Sequence, residues 1–266
     1  MTSLTVYQKI KGVVSGFSQV LHFGTFLKKT GRKLALSLED IISSALFKQS
    51  QGIETKKQAY EILEPSCSYK TFVVTMNRFA FLAALIIAII MKANRNNQHA
   101  IKHIDSTDIP VCLFKNANAH KTMKAIASFG HSGKGTYFGL KLHIISDFTR
   151  KILNIRFTSA NVGDREVVIP MSTEIWGILI GDAGYISNKL AKEFHQEGKR
   201  IFMAKPRSNM KKIMTTFQQR LYDTRAIIEL NFRSLKMFFK LVTSLPRSVD
   251  GYLANYIYSL LAYQIA

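Results

Sequence analysis

Cysteine is scarce in this chain. Cys67 and Cys112 are the two cysteines among 266 residues, so the sequence supplies neither a disulfide framework nor a cysteine-based zinc site. Reduced thiols are expected in a cytoplasmic protein, and the first residues lack the pattern of a secretory signal peptide. We therefore expect a cytoplasmic location.

Acidic residues are also few. The chain has 17 Asp and Glu against 37 Lys and Arg, which gives a formal charge of +20. Such an excess favours a polyanionic partner and makes its binding depend on salt. Because acids are rare here, any acid at a motif position is more noticeable than in an average protein.

Long apolar runs are nearly absent, and the strongest is Phe79–Met91 between Arg78 and Lys92. As a helix, this run would span about 20 Å, which is short of the roughly 30 Å hydrocarbon core of a bilayer. The sequence therefore favours a buried core helix and no membrane partner. A membrane-associated basic protein remains the alternative, which fractionation would distinguish.

The chain changes character near residue 96. Residues 1–95 predict a helical region, with helices near Val6–Phe26, Ser37–Gln49, Lys56–Leu63 and Ser68–Met76. Residues 96–266 predict alternating strands and helices: strands Ile101–Ser106, Tyr137–Ser146 and Ile152–Ser159, helix Glu166–Glu174, strand Trp176–Asp182, helix Asn188–Gln196, strand Arg200–Ala204, a helix around Glu229 and a last helix Asn255–Ile265. This order is that of an RNase H-like α/β (α+β) fold, a mixed sheet with flanking helices.

Three acids occupy positions that suit a metal site. Asp105 follows a short apolar stretch, and Asp182 ends the apolar run that starts at Trp176. Glu229 belongs to the series Tyr222-x-x-Arg225-x-x-x-Glu229-x-x-x-x-x-x-Lys236, which on one helix falls within an arc of roughly 60°, with Arg233 beside it. Carboxylate oxygens suit hard cations such as magnesium, and two such ions can clamp the reacting oxygens of a phosphodiester.

Simpler interpretations exist for the same residues. The Glu229 helix could be an ordinary amphipathic helix, and Asp182 could cap the helix that begins near Ser187. Three other acids compete for a role: Asp147 is typical of a turn, Asp164 of a helix cap, and Asp108 follows Asp105 closely. His143 fits a strand histidine better than a metal ligand.

Several motifs together resemble the bacterial insertion-sequence transposases of the DDE class. The order Asp, Asp, Glu is accompanied by Gly-Asp-x-Gly-Tyr around Asp182 and by the Tyr-x-x-Arg-x-x-x-Glu series around Glu229. Other segments resemble the nine-eight-two group of insertion sequences: Asp105-Ser106-x-x-Ile109-Pro110-Val111-Cys112, Ile126-Ala127-Ser128-Phe129-Gly130, Tyr137-Phe138-Gly139-Leu140-Lys141-Leu142-His143 and Thr158-x-Ala160-Asn161-Val162-x-Asp164. The resemblance extends from about Leu36 to the end of the chain.

The resemblance implies a function and its participants. It implies metal-dependent DNA cleavage and strand transfer, with two Mg²⁺ ions (or Mn²⁺) held by Asp105, Asp182 and Glu229. The partners it implies are the terminal inverted repeats of the element and a target DNA, bound by a homo-oligomer, with residues 1–95 contacting the DNA ends. DNA contacts are implied for Arg225, Arg233, Lys236 and Tyr222.

Two residues of this set keep a second interpretation. Arg225 could hold a phosphate, or it could orient Glu229 in an ion pair. Tyr222 could stack on a base, although packing within the protein is favoured.

The sequence departs from the family pattern at two places. Ala183 stands where a lysine is usual, and the stretch Lys115–Lys121 carries fewer cations than is common. A catalytically inactive DNA-binding protein derived from a transposase is therefore the alternative function. Metal-dependent nicking of DNA would decide between the two.

Overall fold

A computed structural model describes residues 3–27, 30–31, 33–206, 210 and 213–266. By backbone contacts the chain forms two compact units. Unit 1 comprises Met1–Ile89 and Ser234–Ala266, and unit 2 comprises Ile90–Arg233. The division into an end-binding region 1–95 and a catalytic region 96–266 remains a prediction about function.

The described part of unit 1 is helical. Its helices are α1 (Ser3–Leu21), α2 (Leu38–Ser50), α3 (Lys56–Leu63), α4 (Tyr69–Arg78), most of α5 (Ala80–Asn96) and α10 (Val249–Ile265). Polar residues cap several of these helices, because a side-chain oxygen satisfies a backbone N–H of the first turn. Ser37 accepts from Asp40 and Thr55 from Gln58, so the predicted starts of α2 and α3 are confirmed.

The long apolar run forms α5 and packs inward along one face. Leu82, Ala83 and Ile86 are fully buried. By length and composition alone, the stretch Tyr69–Asn96 could cross a membrane, and 44% of its most apolar window is buried within the protein. A core helix passes the same test, so the stretch gives little support to the membrane alternative.

Unit 2 is built on a mixed sheet of six strands in its described part. The strands are β1 (Ile101–Pro110), β2 (Ser128–Ser132), β3 (Gly135–Asp147), β4 (Ile152–Ser159), β5 (Gly177–Gly181) and β6 (Arg200–Ala204). The order is β2-β3-β1-β5-β6, with β4 also paired to β3. The first strands pair antiparallel, whereas β5 pairs parallel with both β1 and β6. This arrangement confirms the expected RNase H-like mixed sheet.

One face of the sheet is covered by short helices. They are α6 (Val168–Met171) and α7 (Asn188–Phe194), and a cluster of buried apolar side chains joins them to the strands: Ile104, Ile145, Leu153, Val168, Met171, Leu179, Leu190, Phe194 and Phe202. The predicted helix Glu166–Glu174 was too long. A 3-10 turn occupies Asp164–Val167, and α6 covers only Val168–Met171. Pro170 has no N–H to bond to the carbonyl of Glu166, so it suits the first turn of a helix and not the interior of the longer helix that was expected.

Other elements also differ from the prediction. Strand β2 was not predicted, and β1 extends to Pro110 rather than ending at Ser106. The basic segment Pro206–Gln219, which the sequence predicts as a loop or a short helix before the Glu229 helix, runs into helix α8 (Thr216–Asp223). Within that segment, residues 207–209, 211 and 212 lie outside the described residues.

Candidate active site

Asp105 and Asp182 lie on neighbouring parallel strands. The pairing of β1 with β5 places His103 opposite Ile180, so two residues further along Asp105 is level with Asp182. Asp182 directly follows β5, as predicted, whereas Asp105 lies within β1, because that strand continues to Pro110 in its pairing with β3. Because β1 and β5 run parallel, the two acids lie side by side where the pairing of these strands ends.

A tight turn fixes the carboxylate of Asp182. Its Oδ1 accepts a 2.8 Å hydrogen bond from the N–H of Gly184 and begins the 3-10 turn Ala183–Tyr185. A Cβ at Gly184 would lie 2.9 Å from the same oxygen, so glycine allows this close approach. The cap of α7 is Ser187, whose side chain accepts from Leu190. Asp182 is therefore not the cap of that helix.

The motif around Glu229 is divided between two helices, which corrects the single helix assumed from the sequence. Tyr222 belongs to α8, and α9 (Ala226–Met237) begins after a break at Thr224 and Arg225. Thr224 is held at this break by hydrogen bonds to the carbonyl of Leu221 (2.6 Å) and to His103 Nε2 (2.7 Å). The four motif residues therefore do not form one continuous helical face.

Arg225, at the break, connects two of the acids. Its Nη2 donates to Asp105 Oδ2 at 2.5 Å, and its Nη1 donates to Glu229 Oε1 at 2.7 Å. The side chains of Arg225 and Asp105 are 16% and 14% exposed, whereas that of Glu229 is 59% exposed. The ion pair with Asp105 is consequently shielded from solvent, and the one with Glu229 is largely in water.

Burial and charge act in opposite directions on these groups. Burial raises the pKa of Asp105 to about 6, with a further increase from the charge of Asp182, despite the nearby Arg225 guanidinium. For Arg225, burial lowers the pKa, but the charges of Asp105 and Asp182 outweigh it and the net pKa is raised. Asp182 thus interacts electrostatically with both residues, and the three acids are brought together around one guanidinium.

Asp164 lies beside this group, although the sequence suggested a helix cap. Gly163 caps the 3-10 turn instead. The Oδ1 of Asp164 accepts from Ser106 Oγ (2.9 Å) and from Lys141 Nζ (3.0 Å). Ser106 and Lys141 were not predicted as site residues. Their only signal was membership of the motifs that contain Asp105 and His143.

The remaining candidates have varied environments. Asp147 is the predicted turn residue, since its Oδ1 accepts from the N–H groups of Thr149 (2.9 Å) and Lys151 (3.1 Å). His143 is buried in β3 and shares a 2.9 Å hydrogen bond with Thr158, in agreement with a strand histidine. Asp108 lies further along β1.

The predicted DNA contacts remain predictions. Tyr222 has the Nζ of Lys205 4.9 Å from its ring centre, which favours packing within the protein. Lys236 is half-buried on α9, and Arg233 is exposed on the same helix. Glu229 and Lys236 are seven residues apart on α9, so they project from nearly the same side of it.

The donor set suits a divalent metal ion in its chemistry. Asp105, Asp182 and Glu229 offer only carboxylate oxygens, which are the ligands that Mg²⁺ prefers. In the structure, Asp105 and Glu229 are bonded to Arg225. Among the residues that the structure describes, no group of three or more His, Cys, Asp or Glu side chains could hold a metal ion as it stands. A metal ion at these acids would have to displace the guanidinium of Arg225 from Asp105 and Glu229.

One comparison with known protein families agrees with the resemblance to DDE transposases. A family model described as "Transposase DDE domain" matches residues 95–249, more than half of the chain. No curated protein and no solved structure matches the chain. The matched range contains Asp105, Asp182 and Glu229.

Proposed function

The chain belongs to the family of transposases with a DDE domain, and from this premise we propose that it cleaves DNA and transfers the strands of an insertion sequence of the nine-eight-two group. One observation carries the proposal. Asp105 and Glu229, which are 124 residues apart in the sequence, both bond to the guanidinium of Arg225. Asp182 is level with Asp105 on the neighbouring strand, and its charge also acts on Arg225.

The acids supply the ligands for metal ions in this proposal. Asp105, Asp182 and Glu229 would hold two Mg²⁺ ions, for which Mn²⁺ can substitute. Bound magnesium activates an attacking oxygen and stabilises the departing one. Since the pKa of Asp105 is about 6, this carboxyl is mostly ionised at pH 7 and is available as a ligand.

The other residues orient these acids and contact DNA. The N–H of Ser106 donates to Asp105 Oδ1 at 2.8 Å, and the N–H of Gly184 fixes Asp182. These bonds hold each carboxylate in place, so less orientational freedom is lost when the site is filled. Arg225, once released from the acids, is suited to hold two oxygens of a phosphate in two parallel hydrogen bonds.

The proposed partners follow from charge and family. A charge of +20 favours DNA, here the terminal inverted repeats of the element and the target. Lys236 and Arg233 are proposed phosphate contacts, and residues 1–95 are proposed to bind the DNA ends. We propose that a homo-oligomer assembles on those ends in the cytoplasm.

Strand cleavage by charge-neutral variants tests the proposal. Asp182→Asn and Glu229→Gln remove one ligand charge each with little change in size, and Asp223→Asn removes an exposed acid that contacts Gln219. We expect the first two to lose magnesium-dependent nicking of a labelled transposon end by orders of magnitude, and the third to cleave normally.

Binding and stability accompany the cleavage assay. DNA binding should survive in all three variants, because a basic surface supplies it. Glu229→Gln should cost at most about 1 kcal/mol of stability, since its ion pair is largely exposed. Normal cleavage by Glu229→Gln would contradict its catalytic role, and binding without cleavage by the parent protein would support the inactive alternative.

A further inference from the structure

Unit 1 contains a cavity of about 540 Å³ that is lined by an unusual number of cations. Lys48, Lys56, Lys57 and Arg247 all line it, and Glu54 is the one acid among the lining residues that the structure describes. Glu54 is already paired with Lys240 at 3.5 Å. The volume lies within the range of small-molecule sites, and the wall carries a clear excess of positive charge.

Two of these lysines, the buried Lys48 and the half-buried Lys56, have neutral hydrogen-bond partners. Lys48 is 4% exposed, and its Nζ donates to Gln49 Oε1 at 2.9 Å. Lys56 donates to the side-chain oxygen of Asn77, which also lines the cavity. A buried ammonium group normally requires a negative partner to offset its loss of hydration. Here both acceptors are amide oxygens, so that compensation is incomplete.

Surrounding groups hold Lys48 in this position. Gln49 Nε2 donates to Asn255 Oδ1 at 3.0 Å and to Ser259 Oγ at 2.7 Å, which orients the Gln49 oxygen towards Lys48. Burial lowers the pKa of Lys48 to about 8, with further lowering by the charges of Lys56 and Lys240, although the charge of Glu54 acts in the opposite direction. The lysines therefore repel one another, and an anion among them would relieve this repulsion.

The remaining wall is apolar or donates hydrogen bonds. Tyr69, Val73, Leu245 and Pro246 supply an apolar surface. Helices α3 and α10 both start at the cavity, at Thr55 and Ser248, and the positive ends of helices favour anions. A ligand with one anionic group and one flat apolar part matches this combination.

We propose that this cavity binds a nucleotide unit of DNA, with its phosphate on Lys48, Lys56 and Arg247 and its sugar and base against Tyr69 and Leu245. The chemistry requires a phosphate ester joined to an apolar ring. The choice of DNA over a free nucleotide rests on the proposed function. The cavity belongs to unit 1, whereas Asp105, Asp182 and Glu229 belong to unit 2.

Titration of the full-length protein with thymidine 5′-phosphate, monitored by isothermal calorimetry, tests the phosphate requirement. We expect binding of thymidine 5′-phosphate and at least about tenfold weaker binding of thymidine, because charge-assisted hydrogen bonds to the phosphate are lost. Equal binding of the two compounds, or no binding of either, would overturn the proposal.

Charge-removing variants locate the site. Lys48→Met and Lys56→Met should each weaken binding at least about tenfold. Lys70→Met is the matched control, since Lys70 is exposed on α4 and does not line the cavity. Arg247→Gln keeps the test valid if the lysine variants misfold. Because Arg247 is exposed, its replacement should weaken binding without changing the melting temperature. Unchanged binding in Arg247→Gln and in a folded Lys48→Met would place the nucleotide elsewhere.

Competition identifies the source of the nucleotide. A single-stranded 12-nucleotide DNA should displace thymidine 5′-phosphate, and this displacement should be weaker in Lys56→Met. Failure of the DNA to compete would overturn DNA as the ligand. Asp182→Asn should abolish cleavage without affecting this titration. An error in the proposed function would therefore appear in the cleavage assay, and an error in the nucleotide site would appear in the titration.

Discussion

Arg225 and Asp105 form a 2.5 Å ion pair although 120 residues separate them in the sequence. The same guanidinium reaches Glu229 at 2.7 Å. A positive charge is thus already present among the acids that we propose as metal ligands. Arg225 and a divalent cation should therefore compete for the same carboxylates.

Replacement of Arg225 by alanine should strengthen metal binding in the absence of DNA. The variant removes a competing charge, so we expect Mn²⁺ affinity to rise at least several-fold, as measured by electron paramagnetic resonance titration. Arg225→Lys, which keeps the charge, should stay near the parent. Weaker Mn²⁺ binding by Arg225→Ala would instead mean that Arg225 orients Glu229 as a ligand.

Lys236 should contribute one phosphate contact. Lys236→Ala should weaken binding to the DNA ends and reduce the slope of log affinity against log salt by about one unit. Fluorescence anisotropy at several salt concentrations measures this slope. Lys192→Ala removes the same charge from an exposed position on α7 and should leave the slope unchanged. An equal effect of both variants would indicate that net charge alone matters.

His143 should make unit 2 less stable in acid. Burial lowers its pKa to about 4, although Asp164 acts in the opposite direction and Lys141 and Arg156 reinforce the lowering. The unfolded chain binds a proton near pH 6.5, whereas the folded protein binds it only near pH 4. Stability is therefore lost as pH falls from about 6.5 towards 4.

Urea unfolding, followed by the fluorescence of the single tryptophan Trp176, tests this dependence. Between pH 7 and pH 5 the histidine should account for about 2 kcal/mol of the loss. His143→Gln should remove that part of the pH dependence, whereas His195→Gln, at an exposed position, should not. Identical pH dependence in His143→Gln and the parent would contradict the prediction.

Gly139 should be required for the sheet. A Cβ at this position would lie 2.1 Å from the carbonyl oxygen of Ile109. Gly139 and Ile109 belong to the paired strands β3 and β1, whose backbones cannot move aside easily. Gly139→Ala should destabilise unit 2 by about 2 kcal/mol or more in urea unfolding. Gly133→Ala, which meets no atom within 4 Å, should be nearly neutral. Similar stability of the two variants would contradict the prediction.

The sequence predicted those parts of the site that depend on strand pattern. Two apolar runs predicted the strands that carry Asp105 and Asp182, because apolar runs and their ends are local signals. Strand β2 was not predicted because Ser128–Ser132 contains one large apolar residue, Phe129, and so lacks a strand pattern. The segment forms a strand by pairing with β3.

The helix break at Thr224 could not be predicted from periodicity. Thr224 shares a hydrogen bond with His103, which is 121 residues away, and such a contact leaves no trace in the local pattern. The position of Asp164 beside Ser106, 58 residues away, escaped for the same reason. Spacing supplied the candidate residues, and long-range contacts decided how they meet.

The two cysteines offer a natural pair of labelling positions. Both are free and half-buried, with Cys67 in unit 1 and Cys112 in unit 2. Burial raises the pKa of each thiol, so maleimide dyes should couple slowly at neutral pH and faster under mildly alkaline conditions. One donor and one acceptor dye would then report the separation of the two units by energy transfer, before and after DNA is added, without an engineered cysteine.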